Sequence, residues 1–184
     1  SGSMTTNKKY IAKSFFFWMV RFLRLKYKKV DTVFVVHHVE ASEVSEQDFF
    51  TISSSGGTKC SSAYDFTYKH INLHHPPDRW NSYVFHFSDG DNLPNDNPTC
   101  KALVEELLLL CAMVGYGEIR YGDDASFYGW ISKTTTSTST PSSLKRALGE
   151  IKNPRFLSVD IAKKGDVYEA LEKFLKPRET EVVA

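Results

Sequence analysis

Ile11, Phe15, Trp18, Phe22 and Leu25 follow a 4-3-4-3 spacing that predicts one apolar face of a helix over residues 8–28. Phe16, Met19, Leu23 and Tyr27 form an adjacent stripe, and so wide an apolar surface suits a helix lying on a sheet. Lys8, Lys9, Lys13, Arg21, Arg24 and Lys28 are expected to cover its wet side or snorkel from its edge, as a solvated face rather than a binding patch. Residues 30–39 are rich in Val and Phe without clean alternation, which predicts a strand covered on both faces within a buried parallel sheet.

Residues 40–57 are polar and end in a Ser/Gly-rich stretch, read as a flexible segment presenting backbone and hydroxyl groups to a ligand. A helix over 59–73, a turn through Pro76 and Pro77 and a strand over 83–87 follow. Asn97 before Pro98 is an N-cap with proline at the first helical position, so a helix is predicted from Pro98 to Val114, ended by Gly115. Gly117–Gly122 is a short strand candidate, and Phe127–Ile131 a further strand or an apolar loop. The low-complexity run 132–143 reads as a loop. Thr140 and Pro141 then start a helix to Lys152, residues 156–161 read as a strand, and Asp166 with Glu169 forms a capping pair opening a last helix to Leu175. This alternation predicts a doubly wound α/β fold, a mostly parallel sheet with helices on both faces, as one domain over 1–177 with a tail at 178–184. In such a fold an apolar strand should precede the first helix. Only Ser1-Gly2-Ser3 does, so the expectation is that the chain starts just after that strand in a longer protein, rather than that Ser1–Ser3 are foreign to it.

Length and composition fit this picture: 184 residues suit one domain, and 41% hydrophobic with 24% charged residues disfavour disorder or a coiled coil. A net charge of +1 gives no reason to expect nucleic acid or an anionic membrane as partner. The apolar runs at 15–20 and 107–114 fall far short of the roughly 20 residues that span a bilayer, and the polar opening lacks a signal-peptide core. Cys60, Cys100 and Cys111 are odd in number and lack CxxC spacing, so a reducing cytoplasm is expected.

Three polar segments carry candidate chemistry: Ser1-Gly2-Ser3, Gly57-Thr58 and Ser88-Asp89-Gly90. Loops at the carboxyl ends of strands gather in one crevice of a doubly wound sheet, so the first and third can meet there, with the Gly-rich segment reaching over them. The Ser1, Ser3 and Thr58 hydroxyls and the Asp89 carboxylate are oxygen donors suited to Mg²⁺ or Mn²⁺. Such ligands neutralise little of the ion's charge and leave it attractive to a carboxylate from another molecule.

In order and separation these segments resemble the metal ion-dependent adhesion site of the von Willebrand factor A fold, Asp-x-Ser-x-Ser, then Thr, then Asp. The first Asp of that pattern would lie two residues before Ser1. More narrowly, Ile11–Arg24, Val36-His-His, Ser55-Gly-Gly-Thr-Lys-Cys-Ser-Ser-Ala-Tyr, Phe85-His-Phe-Ser-Asp-Gly-Asp-Asn, Gly115-Tyr-Gly-Glu and Asp166-Val-Tyr resemble the C-terminal part of the YhbH/YeaH family of stress or sporulation proteins. That resemblance implies a metal-dependent adaptor without enzymatic activity. Its partner would offer an acidic side chain, with a serine protein kinase or a SpoVR-like protein as the implied candidates.

The histidines carry a different reading. His37, His38, His70, His74, His75 and His86 are enough to build a transition-metal hydrolase site with Asp89 or Asp91, and His70 and His74 are four apart on one predicted helix. Against it, no Glu follows His70 as HExxH requires, and His37, His38 and His86 at strand positions read as hydrogen-bonded near-core residues. The chain also lacks a GxSxG elbow and a GxxxxGK[ST] loop. Cys60 reads as a small buried residue before it reads as a reactive thiol.

Overall fold

The computed structural model describes residues 4–51, 59–120 and 141–176. Helix α1 spans Thr6–Lys26, opened by Thr5, whose hydroxyl accepts from the Lys8 N–H. Its buried stripe is Ile11, Phe15 and Met19, with Ala12 and Val20 beside it. Trp18, Phe22 and Leu25, expected on the buried face, are instead 49%, 39% and 80% exposed. The two stripes share Ile11 and Phe15 and then diverge. Spacing alone does not choose between them, because the apolar arc of α1 is wider than the surface it covers.

The segment expected as a buried parallel strand forms β1 (Phe34–His37), which pairs antiparallel with β2 (Ala41–Val44) in a separate two-stranded sheet, Phe34 opposite Val44. Only Phe34 of β1 is fully buried, against Phe49 and Phe50 of helix α2 (Glu46–Thr51). The polar stretch from 40 thus holds a strand and a helix in its described part. Helix α3 spans Ser61–His74.

The main sheet is parallel, with β4 (Met113–Ile119) between β3 (Tyr83–Ser88) and β5 (Phe156–Ile161). Every residue of β4 is buried, as a central strand covered on both faces requires. Val114 and Tyr116 face a cluster built from α3, α4 (Asn97–Leu110) and α5 (Ser143–Gly149), including Tyr64, Ile71, Val104, Leu107 and Leu144. Met113 and Ile119 face α1 and α6 (Asp166–Leu175) through Ile11, Phe15, Val167 and Phe174. Gly115 and Gly117 occupy the second face because aromatic rings lie on the strand there. A Cβ at Gly115 would stand 2.8 Å from the Phe174 ring, and one at Gly117 would run into Phe87. Helices therefore cover both faces of a three-stranded parallel sheet.

Two boundaries differ from expectation in one place. Helix α4 ends at Leu110, not Val114, and β4 begins at Met113, so Val114 and Gly115 are strand residues. Residues 107–114 are apolar throughout and carry no periodic mark. The change comes where Ala112 N–H donates to Ser82 O and opens the pairing of β4 with β3. Helix α5 starts at Ser143 with Ser142 as N-cap, its hydroxyl accepting from Lys145 N–H. Asp166 does not cap α6 but accepts from the Ala162 and Lys163 N–H groups, bracing the turn before it. The expected features at 122–140, including Phe127–Ile131, and the tail at 178–184 lie outside the described residues.

Among the described residues β3 pairs only with β4, and β1 only with β2. A cleft of about 1000 Å³ is bordered by Val33–Val35 on one side and Val84 and Phe85 on the other, with Phe16, Met19 and Ile71 in its walls. No helix among the described residues is long and apolar enough to cross a membrane.

Candidate functional site

The carboxyl end of β3 runs into Ser88-Asp89-Gly90-Asp91-Asn92, a tight loop whose shape depends on Gly90. Its φ is +82°, and a Cβ there would stand 2.5 Å from Ser142 and 2.7 Å from Glu118 Oε2. Gly90 N–H donates to Ser88 Oγ, and Asp91 N–H donates to Asp89 Oδ1 at 3.3 Å. Among the described residues Asp89 Oδ2 is buried without a hydrogen-bond donor, and the Lys8 ammonium lies 3.7 Å from it. The two side chains are 8% (Lys8) and 2% (Asp89) exposed, so Lys8, expected on the wet face of α1, is buried. A buried carboxylate oxygen short of donors is the group that an incoming cation stabilises most.

Beneath this loop a polar cage fixes the start of α3. Asn92 Oδ1 accepts from Cys60 N–H at 2.9 Å, and Asp96 accepts from both the N–H (3.0 Å) and the hydroxyl (2.5 Å) of Ser61. Cys100 Sγ also donates to Asp96, and Asn92 Nδ2 donates to Asn97. Burial pushes the Asp96 carboxyl upward, but the donors from Ser61, then Cys100 and Asn92, outweigh it and hold it below its ordinary value. Asp96 thus does from a distant loop what an N-cap side chain does locally.

Of the predicted oxygen ligands, Asp89 stands as described, while Ser1, Ser3 and Thr58 lie outside the described residues. Their flanks are informative. Lys8, in the first turn of α1, lies beside Asp89, and Cys60, two residues after Thr58, is tied to Asn92. The entries to α1 and α3 therefore both open onto the loop after β3.

Sequence reasoning passed over a second group at this end of the sheet. Glu118, 2% exposed at the end of β4, receives the Arg120 guanidinium at 2.6 and 2.8 Å, and the hydroxyls of Ser142 and Tyr116. Arg120 and Lys145 also reach Asp160 on β5. The Glu-x-Arg spacing on one strand face was the available signal.

The six histidines do not assemble into one site. His70, His74 and His75 stack at the far end of α3, where His75 Nε2 lies 2.8 Å from Asp31 and His70 Nδ1 3.6 Å from Glu43. His37 and His86 meet elsewhere, Nε2 to Nε2 at 3.2 Å, and His86 Nδ1 lies 2.7 Å from the Tyr64 hydroxyl. Burial pulls His37 down to about 4 and His86 well below its ordinary value, so both rings are neutral near pH 7. Cys60 is buried with its thiol pushed up to about 12, again by burial first, which agrees with a core residue rather than an activated nucleophile.

A family model described as "Protein of unknown function (DUF444)" matches residues 1–178. A UPF0229 protein of Halalkalibacterium halodurans is 48% identical over 182 residues, covering 99% of this chain. UPF0229 proteins of Bacillus cereus (strain B4264) and Bacillus anthracis (strain A0248) are each 44% identical over all 184 residues. The chain spans 43% of the length of each of these relatives.

Proposed function

The chain belongs to the DUF444 family of UPF0229 proteins, and within it we propose that this domain is a cation-dependent protein-interaction module of von Willebrand factor A type. In this reading Asp89, with Ser1, Ser3 and Thr58, holds Mg²⁺ or Mn²⁺ at the carboxyl end of β3. The ion keeps a position for an acidic side chain of a partner, for which a cytoplasmic serine protein kinase or SpoVR-like protein of a stress or sporulation system is the candidate. Its role is binding, with no turnover. The observation that supports it is Asp89 itself, a 2%-exposed carboxylate with one oxygen that has no donor among the described residues, onto whose loop the entries of α1 and α3 both open. Hard oxygen donors fit a hard cation, and Lys8 supplies the compensating charge when no cation is bound.

The test is Mn²⁺ binding followed by electron paramagnetic resonance, with Mg²⁺ competition. Mn²⁺ should be bound and displaced by Mg²⁺, Asp89→Asn should abolish binding, and Thr58→Ala should weaken it, with circular dichroism confirming that each variant is folded. Equal Mn²⁺ affinity in folded Asp89→Asn overturns the reading. At the level of the partner, kinase binding that is indifferent to EDTA removes the cation from the interaction.

A further inference from the structure

Two imidazoles and a thiol from three separate elements converge behind the Asp89 loop: His37 from β1, His86 from β3 and Cys60 from the residue before α3. One ligand atom from each lies within 4.8 Å of the others. We propose that His37, Cys60 and His86 form a site for a divalent first-row transition cation of the Zn²⁺ class, distinct from the oxygen-donor site at Asp89.

The geometry is that of adjacent ligands. Two nitrogens each about 2.05 Å from a tetrahedral ion stand about 3.3 Å apart, and the His37 and His86 Nε2 atoms are 3.2 Å apart. A thiolate about 2.3 Å from the same ion would sit about 3.6 Å from each nitrogen, so closing a cluster now spread over up to 4.8 Å takes a side-chain adjustment. Imidazole and thiolate are the donors that Zn²⁺ prefers and Mg²⁺ does not.

The surroundings suit ligation. His86 is buried and His37 half-buried, and imidazole ligates through its neutral form. The Tyr64 hydroxyl can accept from His86 Nδ1–H, an outer contact that leaves the Nε2 lone pair facing His37. The Cys60 thiol ionises only on ligation: the S–H bond breaks, the sulfur pair goes to the metal, and one proton leaves to solvent for each ion bound. Three protein ligands leave the fourth position to water or a donor from another molecule.

The test uses the whole chain with Co²⁺ as a spectroscopic stand-in for Zn²⁺. One Co²⁺ per chain should bind, with intense visible bands of tetrahedral geometry and a thiolate-to-cobalt charge-transfer band, both removed by adding Zn²⁺. Cys60→Ser should lose the charge-transfer band, whereas Cys111→Ala should keep it. His37→Gln should weaken binding by more than the about 10–100-fold expected for loss of the outer Tyr64 contact in Tyr64→Phe. Asp89→Asn should leave the cobalt spectrum unchanged, which separates this site from the Mg²⁺ reading. Absence of Co²⁺ and Zn²⁺ binding, or a charge-transfer band that survives in Cys60→Ser, overturns the proposal and leaves the cluster as a hydrogen-bonded histidine pair beside a buried thiol.

Discussion

Lys8 Nζ stands 3.7 Å from Asp89 Oδ2, joining the first turn of α1 to the carboxyl end of β3 across a buried contact. Removing one partner of a buried ion pair leaves the other charge uncompensated, at a cost of about 3–5 kcal/mol. Lys8→Met is therefore expected to lose stability on that scale, and Lys8→Met/Asp89→Asn to recover part of it. If a cation binds at Asp89, Mg²⁺ should stabilise the single variant and not the double one. Denaturant midpoints with and without Mg²⁺ check this, and a single variant as stable as the parent would show that the pair carries little.

The register of α1 is tested by two neighbours. Phe15 is fully buried against Phe87 and Phe174, so Phe15→Ala should cost about 3–5 kcal/mol. Trp18 is half exposed and touches Phe17, so Trp18→Ala should cost less than about 1 kcal/mol. A reversed order in urea unfolding would place the other stripe on the sheet.

Acid should weaken the fold before its carboxylates titrate. His37 is held at about 4 by burial, against an ordinary 6.5, and His86 shifts the same way. As pH falls the unfolded chain takes up the proton first. The contribution is thus complete above 6.5 and is lost as pH drops toward 4, reaching about 3 kcal/mol for His37. Urea unfolding at about pH 7.5 and about pH 4.5 measures the difference, and His37→Gln should reduce it, leaving the part due to His86. A parent protein equally stable at both values would mean that the pair is protonated in the folded state.

Among the described residues β1 pairs only with β2 and β3 only with β4, so the strand edges bordering the cleft are open to a further strand. A longer chain carrying an apolar segment ahead of Ser1 is expected to slow hydrogen exchange at the amides of Val84–Phe87 and to raise Tm. Unchanged exchange on the β3 edge would place that segment elsewhere.

How far the sequence reaches is clear from particular elements. Strand β5 was legible to the residue, and helices α3 and α6 nearly so, because each is short, bounded by polar or turn residues, and marked by one period. The α4–β4 boundary was not, because residues 107–114 are uniformly apolar and only the bond from Ala112 to Ser82 locates the break. The pairing of β1 was hidden for a related reason: a Val/Phe run reports burial without naming the partner strand. The place of Asp89 in a turn after β3 was legible, since a carboxylate after a strand and before Gly is a local pattern. The burial of Lys8 against it, the cap that Asp96 lends to Ser61 across 35 residues of chain, and the meeting of His37, Cys60 and His86 were decided by tertiary structure alone. Local spacing determines which residues can share a face, but distances between residues far apart in the chain are set by how the layers pack, and no period in the sequence encodes them.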